Sequence, residues 1–242
     1  MRNLFFFIIT LSATLISRDK RNHSEFVIWN IGQGQWTTLV TENHCDHFDM
    51  GGEYDLSKKI KKYCGSRDHR IHLSHWDADH IGFVAKLKRL TKNICLYNIP
   101  KGETSTHKRK IIEDIPMCLN SEKDFLTIYS GSNKQNATPN DTSEVVETHH
   151  ILIPGDSPKK EEKIWSFNHD IINTEGLILG HHGSHTSTSD VLLLHLSHLK
   201  WAVATARKKR YGHPHPETLA RLKKNKTPVL LTEDWGSIIF KL

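Results

Sequence analysis

The chain has 242 residues and 37% of them are hydrophobic, enough for one large domain with a real core and too many for a disordered or fibrous chain. Its 33 Lys and Arg outnumber its 27 Asp and Glu, a formal charge of +6 that favours acidic partners, phosphates first. Eighteen histidines suit a metal site, and their spacing has to separate ligands from ordinary surface residues.

An apolar run over residues 4–16 follows one early charge, Arg2, and ends at Arg18-Asp19-Lys20-Arg21. It is too short to span a bilayer as an ordinary helix but matches the apolar region of a secretory leader. Residues 1–17 are therefore expected to be a signal peptide, with an N-terminal membrane anchor as the alternative. The protein is expected to be exported, periplasmic or extracellular. Cys45, Cys64, Cys95 and Cys118 would then meet an oxidising compartment, where three disulfide pairings are open. None of them forms a C-x-x-C pair, so a thiolate zinc site is not indicated.

Residues 25–30 and 36–41 are rich in β-branched and aromatic residues and flank Gly32-Gln33-Gly34, which predicts a hairpin. A further strand is expected to end at residues 47–49. A helix is predicted over 55–63 with Asp55 as N-cap, a strand over 70–74 and a helix over 81–90. The stretch from about 100 to 142 reads as an insertion or flexible connection, polar over 101–110 and rich in Ser, Asn, Gly and Pro over 130–142. A second hairpin is expected from 145–146 to 151–154, turning at Thr148-His149, so His149 and His150 are read as structural. Then follow strand 177–179, helix 190–196, strand 201–205, helix 217–224 and strands 229–231 and 238–240. Alternating strands and helices without a repeat imply a layered α/β or α+β domain.

The strongest chemical signal is His75-x-Asp77-x-Asp79-His80, four potential ligands in six residues where a strand gives way to a helix. Zinc accepts imidazole nitrogen and carboxylate oxygen, and a carboxylate-rich site also suits manganese. Three other polar clusters follow apolar segments. Asp156 ends Leu152-Ile153-Pro154-Gly155 and can bridge two cations; His181 and His182 follow Leu177–Gly180; His213 and His215 lie just before a helix. Together they are best explained by a two-metal site. His23, His44, His47, His69, His72, His107, His169, His195 and His198 have no such context, and His185 is read as lying beside the site.

These segments, in order, resemble the metallo-β-lactamase-fold domain of ComEC-type DNA-uptake (competence) proteins, here in freestanding form. The resemblance rests on Ile31-Gly32-Gln33-Gly34-Gln35, Asp49-Met50-Gly51-Gly52, SHWDADHIG at 74–82 and ILIPGD at 151–156. It continues in GHHGSHTSTS at 180–189, RYGHPHPETL at 210–219 and TEDWGSIIF at 232–240. It implies a four-layer αββα sandwich over residues 25–242, with two divalent metals, zinc by default or manganese, in a groove at the strand ends. It also implies that His75 and Asp77 hold one metal, Asp79 and His80 the other, and Asp156 bridges. His181 is the better candidate than His182 for a further ligand. His213 or His215 is expected to complete the site or face the scissile group. Asp79, His213 and His215 are the expected catalytic residues; His182, Ser184, Arg207 and Arg210 are expected to face substrate. Where the family usually carries acids, this chain has Asn30 and Gln35.

The leading expectation is a metal-dependent phosphodiesterase acting on nucleic acid, with no organic cofactor and, if residues 1–17 are an anchor, with membrane association through the N-terminus. The alternatives are an envelope esterase or small-phosphodiester hydrolase of the same fold, and a catalytically degenerate DNA-binding or scaffold protein.

Overall fold

The computed structural model describes residues 24–119 and 122–242; the leader expected over 1–17, and His23, lie outside them. One sheet contains β1 (Glu25–Ile28), β2 (Thr37–Val40), β3 (His44–Phe48), β4 (Asp68–His72), β5 (Ile94–Leu96) and β12 (Ile238–Lys241). Their spatial order is β12-β1-β2-β3-β4-β5. The other contains β6 (Leu126–Tyr129), β7 (Val145–Thr148), β8 (Ile151–Ile153), β9 (Gly176–Ile178), β10 (Trp201–Ala204) and β11 (Val229–Leu231), ordered β11-β10-β9-β8-β7-β6.

Each sheet combines antiparallel pairs (β12-β1-β2-β3 and β6-β7-β8) with parallel ones (β3-β4-β5 and β8-β9-β10-β11). Parallel neighbours need crossover connections, and these supply the outer helices. α1 (Ser57–Cys64), α3 (Val84–Leu90) and α4 (Thr106–Ile112) cover the first sheet. α5 (Lys159–Trp165), α6 (Asp190–His195) and α8 (Pro216–Lys224) cover the second. Single turns form α2 (Ala78–Ile81), α7 (Lys208–Tyr211) and α9 (Thr232–Trp235).

The two-residue period of the strands sorts their side chains between layers. Val27 packs towards the helices with Trp36, Ile60 and Leu87, while Phe26 and Ile28 point into the space between the sheets. There they meet Leu39, Phe48, Val146, Ile153, Ile178 and Val203. Each such side chain contributes roughly 1.5–3 kcal/mol on full burial. An exposed ion pair contributes only about 0–1 kcal/mol, so the apolar middle layer holds the sheets together. The expected αββα sandwich is the observed architecture.

Both expected hairpins are present. His149 and His150 form the β7–β8 turn with φ of 46° and 61°, consecutive left-handed residues between the paired Thr148 and Ile151. That is the backbone of a two-residue primed turn. Other boundaries differ. The first helix begins at Ser57, and Asp55 instead accepts hydrogen bonds from the Ser57 N–H (3.0 Å) and hydroxyl (2.6 Å) ahead of it. The single helix predicted over 81–90 is α2 plus α3, broken at Gly82 and Phe83. The region from 100 to 142 contains α4 and β6, which sequence reading missed. α4 offers only Ile111 and Ile112 to the core, and β6 is a half-exposed edge strand, so neither carries a full period.

The disulfides are Cys45–Cys64, joining β3 to the end of α1, and Cys95–Cys118, anchoring the segment after α4 to β5. Several histidines without motif context are buried and partnered, not surface residues. Trp36 Nε1 donates to His47 Nδ1 (3.2 Å), and the stacked His69 Nδ1 lies 2.9 Å from His47 Nε2. An indole N–H can only donate, so neutral His47 carries its proton on Nε2 and donates to His69. His72 sits 3.3 Å from Glu144.

Burial, aided by the charge of His69, lowers His47 well below its ordinary value, and burial, aided by the charge of Lys61, lowers His69 to about 4. The unfolded chain therefore binds more protons than the fold between about pH 6.5 and 4, and this pair destabilises the fold as pH falls through that window. The slope is about 1.4 kcal/mol per pH unit for each excluded proton. Imidazole NMR resonances of His69 are expected to stay unshifted from pH 7.5 to 5. A midpoint near 6.5 would show that the ring is not held neutral.

Candidate metal centre

The centre lies where the carboxyl ends of strands from both sheets meet, the crevice that open α/β sheets leave for chemistry. After β4 the chain runs through His75 and Asp77 into α2, which carries Asp79 and His80 one turn above the sheet. From the other sheet, Asp156 follows β8 and His181-His182 follow β9. His181 and His182 both take left-handed backbone angles, φ 50° and 54°. That conformation is uncommon for residues with a Cβ, and here it turns two consecutive rings towards the same acid.

Asp156 is the meeting point. Its Oδ1 lies 3.1 Å from His80 Nε2 and 3.9 Å from His182 Nε2, and its Oδ2 lies 3.8 Å from His75 Nε2 and 3.6 Å from His181 Nε2. His182 Nε2 is also 3.2 Å from Asp79 Oδ2, and His75 Nε2 is 3.5 Å from Asp77 Oδ2. Two overlapping groups result, with candidate ligand atoms within 4.8 Å of one another: His75, His80 and Asp156, and Asp79, His80 and His182.

His75 Nε2, His80 Nε2 and Asp156 Oδ1 are buried without a hydrogen-bond partner among the described residues. Buried polar atoms are ordinarily satisfied, and three converging orphans of imidazole and carboxylate type match the donor set of a divalent cation. The electrostatics agree. Although burial opposes it, the Asp156 and Asp49 carboxylates hold His80 well above its ordinary pKa. Burial opposes ionisation of Asp156 and Asp79 too, yet the surrounding imidazoles keep both below the usual carboxylate range. The centre calls for positive charge.

Asp49, from the Asp49-Met50-Gly51-Gly52 segment, joins the centre beyond the expected site residues. It follows β3, and its carboxylate accepts from Ser74 N–H (2.7 Å), Ser74 Oγ–H (2.7 Å) and Gln35 Nε2 (3.0 Å). It also lies 2.8 Å from His80 Nδ1. With its proton given to Asp49, Ser74 Oγ can only accept from His75 Nδ1, 2.9 Å away. Both rings thus direct Nε2 at the centre, the tautomer a metal requires. Gln35, standing where an acid is usual, orients Asp49 and also donates its N–H to the Asp79 carbonyl at 3.0 Å. Asn30 stays outside the centre, its N–H bound to Ser237. Gly51 lets these turns close on α2, since a Cβ there would lie 2.3 Å from the carbonyl carbon of Asp79.

The remaining predicted residues separate clearly. His182, expected to face substrate, is buried beside Asp79 in the same position as a ligand would take; His181 is also at the centre, partly exposed. His213 lies 6.1 Å ring-to-ring from His181, with Nδ1 3.2 Å from Gln33 Nε2. His215 instead caps α8, accepting from the Glu217 N–H at 3.3 Å, so it is not brought into the centre. Ser184 is buried and bonded to Thr186 at 2.9 Å. Arg207 and Arg210 are engaged by Glu53 at 3.2 and 2.7 Å, with Tyr211 on the same carboxylate. They join α7 to the loop after β3 through this carboxylate, a partner that the sequence pattern around them does not reveal.

A solved structure with a similar fold is the metallo-β-lactamase fold protein YhfI from Bacillus subtilis, with TM-score 0.55 at 12% identity, covering 90% of this chain and all of that one. The chain has the metallo-β-lactamase fold. Within that fold, the sequence is 24% identical to Competence protein ComA of Neisseria gonorrhoeae over 91% of this chain. It is 29% identical to ComE operon protein 3 of Bacillus subtilis (strain 168) over 70%, and 24% identical to Recombination protein 2 of Haemophilus influenzae over 86%. The resemblance to ComEC-type proteins read from the motifs is therefore shown. The aligned region spans 33%, 24% and 28% of those relatives' lengths. No protein-family model matches the chain.

Replacing Asp49 by Ala removes the acceptor that fixes His80 and, through Ser74, His75. Divalent-cation affinity measured by titration calorimetry is expected to fall 10- to 100-fold. An affinity within twofold of wild type would show that other contacts orient the rings.

Proposed function

We propose that the protein is a metal-dependent phosphodiesterase that cleaves DNA. The observation that carries this reading is the sharing of Asp156 between two groups of ligand-type residues, one approaching each carboxylate oxygen. His75, Asp77 and His181 would hold one divalent ion; Asp79, His80 and His182 the other; Asp156 both. When bound, zinc or manganese would polarise a phosphoryl oxygen and lower the pKa of water to near neutrality.

The chain's own residues do the rest. Asp79, more exposed than Asp156, reaches the open edge of the groove, where its carboxylate can orient the attacking water. Gln33 Nε2 can only donate, so it fixes His213 Nδ1 as acceptor and leaves Nε2–H as a donor towards the groove. That donor can stabilise charge on the departing oxygen. Burial first, then neighbouring imidazoles, lowers His213 to about 4, so the ring acts in its neutral form. DNA as substrate is supported by the charge of +6 and by the competence proteins among the relatives.

Purified protein is expected to bind about two metal ions and to cleave DNA in their presence, with Asp156→Asn slower by at least about 100-fold. Activity should also fall steeply with added salt, as phosphate contacts do. Equal cleavage by wild type and Asp156→Asn would overturn the assignment. Salt-independent turnover of a neutral ester would move it to the envelope-esterase alternative.

Export is proposed alongside, supported by two disulfides, which persist in oxidising compartments. No helix among the described residues is long and apolar enough to cross a membrane; the apolar run within residues 1–17 is what supports a signal peptide or, as the alternative, an anchor there. The mass of protein recovered from the exporting cell distinguishes the two: loss of the leader indicates a signal peptide, its retention an anchor.

A further inference from the structure

The excursion between β5 and β7 reaches the centre at two points, neither of them used above. From α4, Lys108 Nζ lies 3.3 Å from Asp77 Oδ1, with its side chain 29% exposed. Arg109, the next residue, places its guanidinium 5.9 Å from the Trp76 ring. Ser105 caps the same helix by accepting from the Lys108 N–H. α4 is thus pinned with one cation at the groove. From the other end of the excursion, Asn140 Nδ2 lies 3.4 Å from His181 Nδ1. Both contacts fall on the half of the centre formed by His75, Asp77 and His181.

The turn that carries Asn140 also walls a cavity of about 510 Å³. Pro139, Thr142 and Gly102 line it, with Lys101, Ser132 and Asn136 around it. The volume lies in the range of small-molecule sites. Its walls carry two lysines, amide and hydroxyl groups and one carboxylate, Glu103, a polar lining suited to hydrogen bonding with a sugar and phosphate and unsuited to an apolar ligand.

We propose that this excursion is the substrate-binding wall: Lys108 contacts the phosphate at the reaction centre, and the cavity behind Asn140 receives the neighbouring nucleotide of a DNA strand. The inference rests on the phosphodiesterase reading and adds which surface recognises the chain. Lys108 contributes a movable charge. It pairs with Asp77 as observed here; with Asp77 turned to a bound cation, its ammonium is released to an incoming phosphate oxygen. A small phosphodiester would meet only Lys108, whereas an oligonucleotide would also occupy the cavity.

The test uses the full-length protein, a fluorescein-labelled phosphorothioate dodecanucleotide read by anisotropy, and bis(p-nitrophenyl) phosphate hydrolysis with manganese. Lys108→Met is expected to weaken oligonucleotide binding roughly tenfold, the effect of losing one charge-assisted hydrogen bond. It should slow hydrolysis of the small diester as well, with metal content unchanged. Ala137→Phe, which fills the cavity from its rim, is expected to weaken oligonucleotide binding to a similar extent and leave the small diester unaffected. Thermal unfolding like wild type establishes that both variants fold. Unchanged oligonucleotide affinity in folded forms of either variant overturns the proposal. If wild type hydrolyses no diester yet both variants lose oligonucleotide binding, the binding wall stands and the phosphodiesterase reading fails.

Discussion

A buried carboxylate ringed by imidazoles organises this molecule. Asp156 is almost wholly removed from water, where an isolated negative charge is prohibitively costly. Four histidine nitrogens approach it within 4 Å, and they come from opposite sheets: His75 and His80 from the first, His181 and His182 from the second. Imidazoles from both halves offset the cost of burying this charge when the sheets are docked. The apolar layer between the sheets performs that docking, so the chemistry of the groove and the stability of the sandwich are coupled through one side chain.

Around this contact the fold spends its most constrained backbone. Left-handed His181 and His182, the glycine-permitted approach of Gly51 to α2, and the Asp49 network all aim nitrogen lone pairs at one volume. Preorganisation of this kind matters because a divalent ion or a developing charge gains little from groups that must first be turned. On the far rim, Glu53 holds Arg207, Arg210 and Tyr211, and Gln33 connects that clamp to His213. On the near rim, Lys108 and Asn140 come from the excursion between the sheets. The two sides of the groove thus differ, one cross-linked by its own charges and the other presenting a cation.

Most of the fold was legible because strands and helices carry their periods locally. β1, β2, β7 and β10 read as β-rich runs, and α1, α6 and α8 as amphipathic ones. α4 and β6 were missed because each buries only one or two side chains. A short edge element leaves no period to read. The His75–His80 motif was legible because all its candidate ligands lie within a six-residue span just after a strand, where a turn of helix suffices to gather them.

The sequence by itself therefore determined the sandwich, the strand ends that carry acids and imidazoles, and one compact ligand cluster. Only the tertiary structure decided which distant residues complete it. It set both His181 and His182 against Asp156, put His213 and not His215 at the groove, and gave Asp49 its orienting place. It also paired Cys45 with Cys64, and gave Arg207 and Arg210 a partner in Glu53. The physical reason is the same in each case. A motif within a few residues is gathered by local backbone geometry, whereas Asp156 and His80 lie 76 positions apart and meet only because two sheets pack face to face.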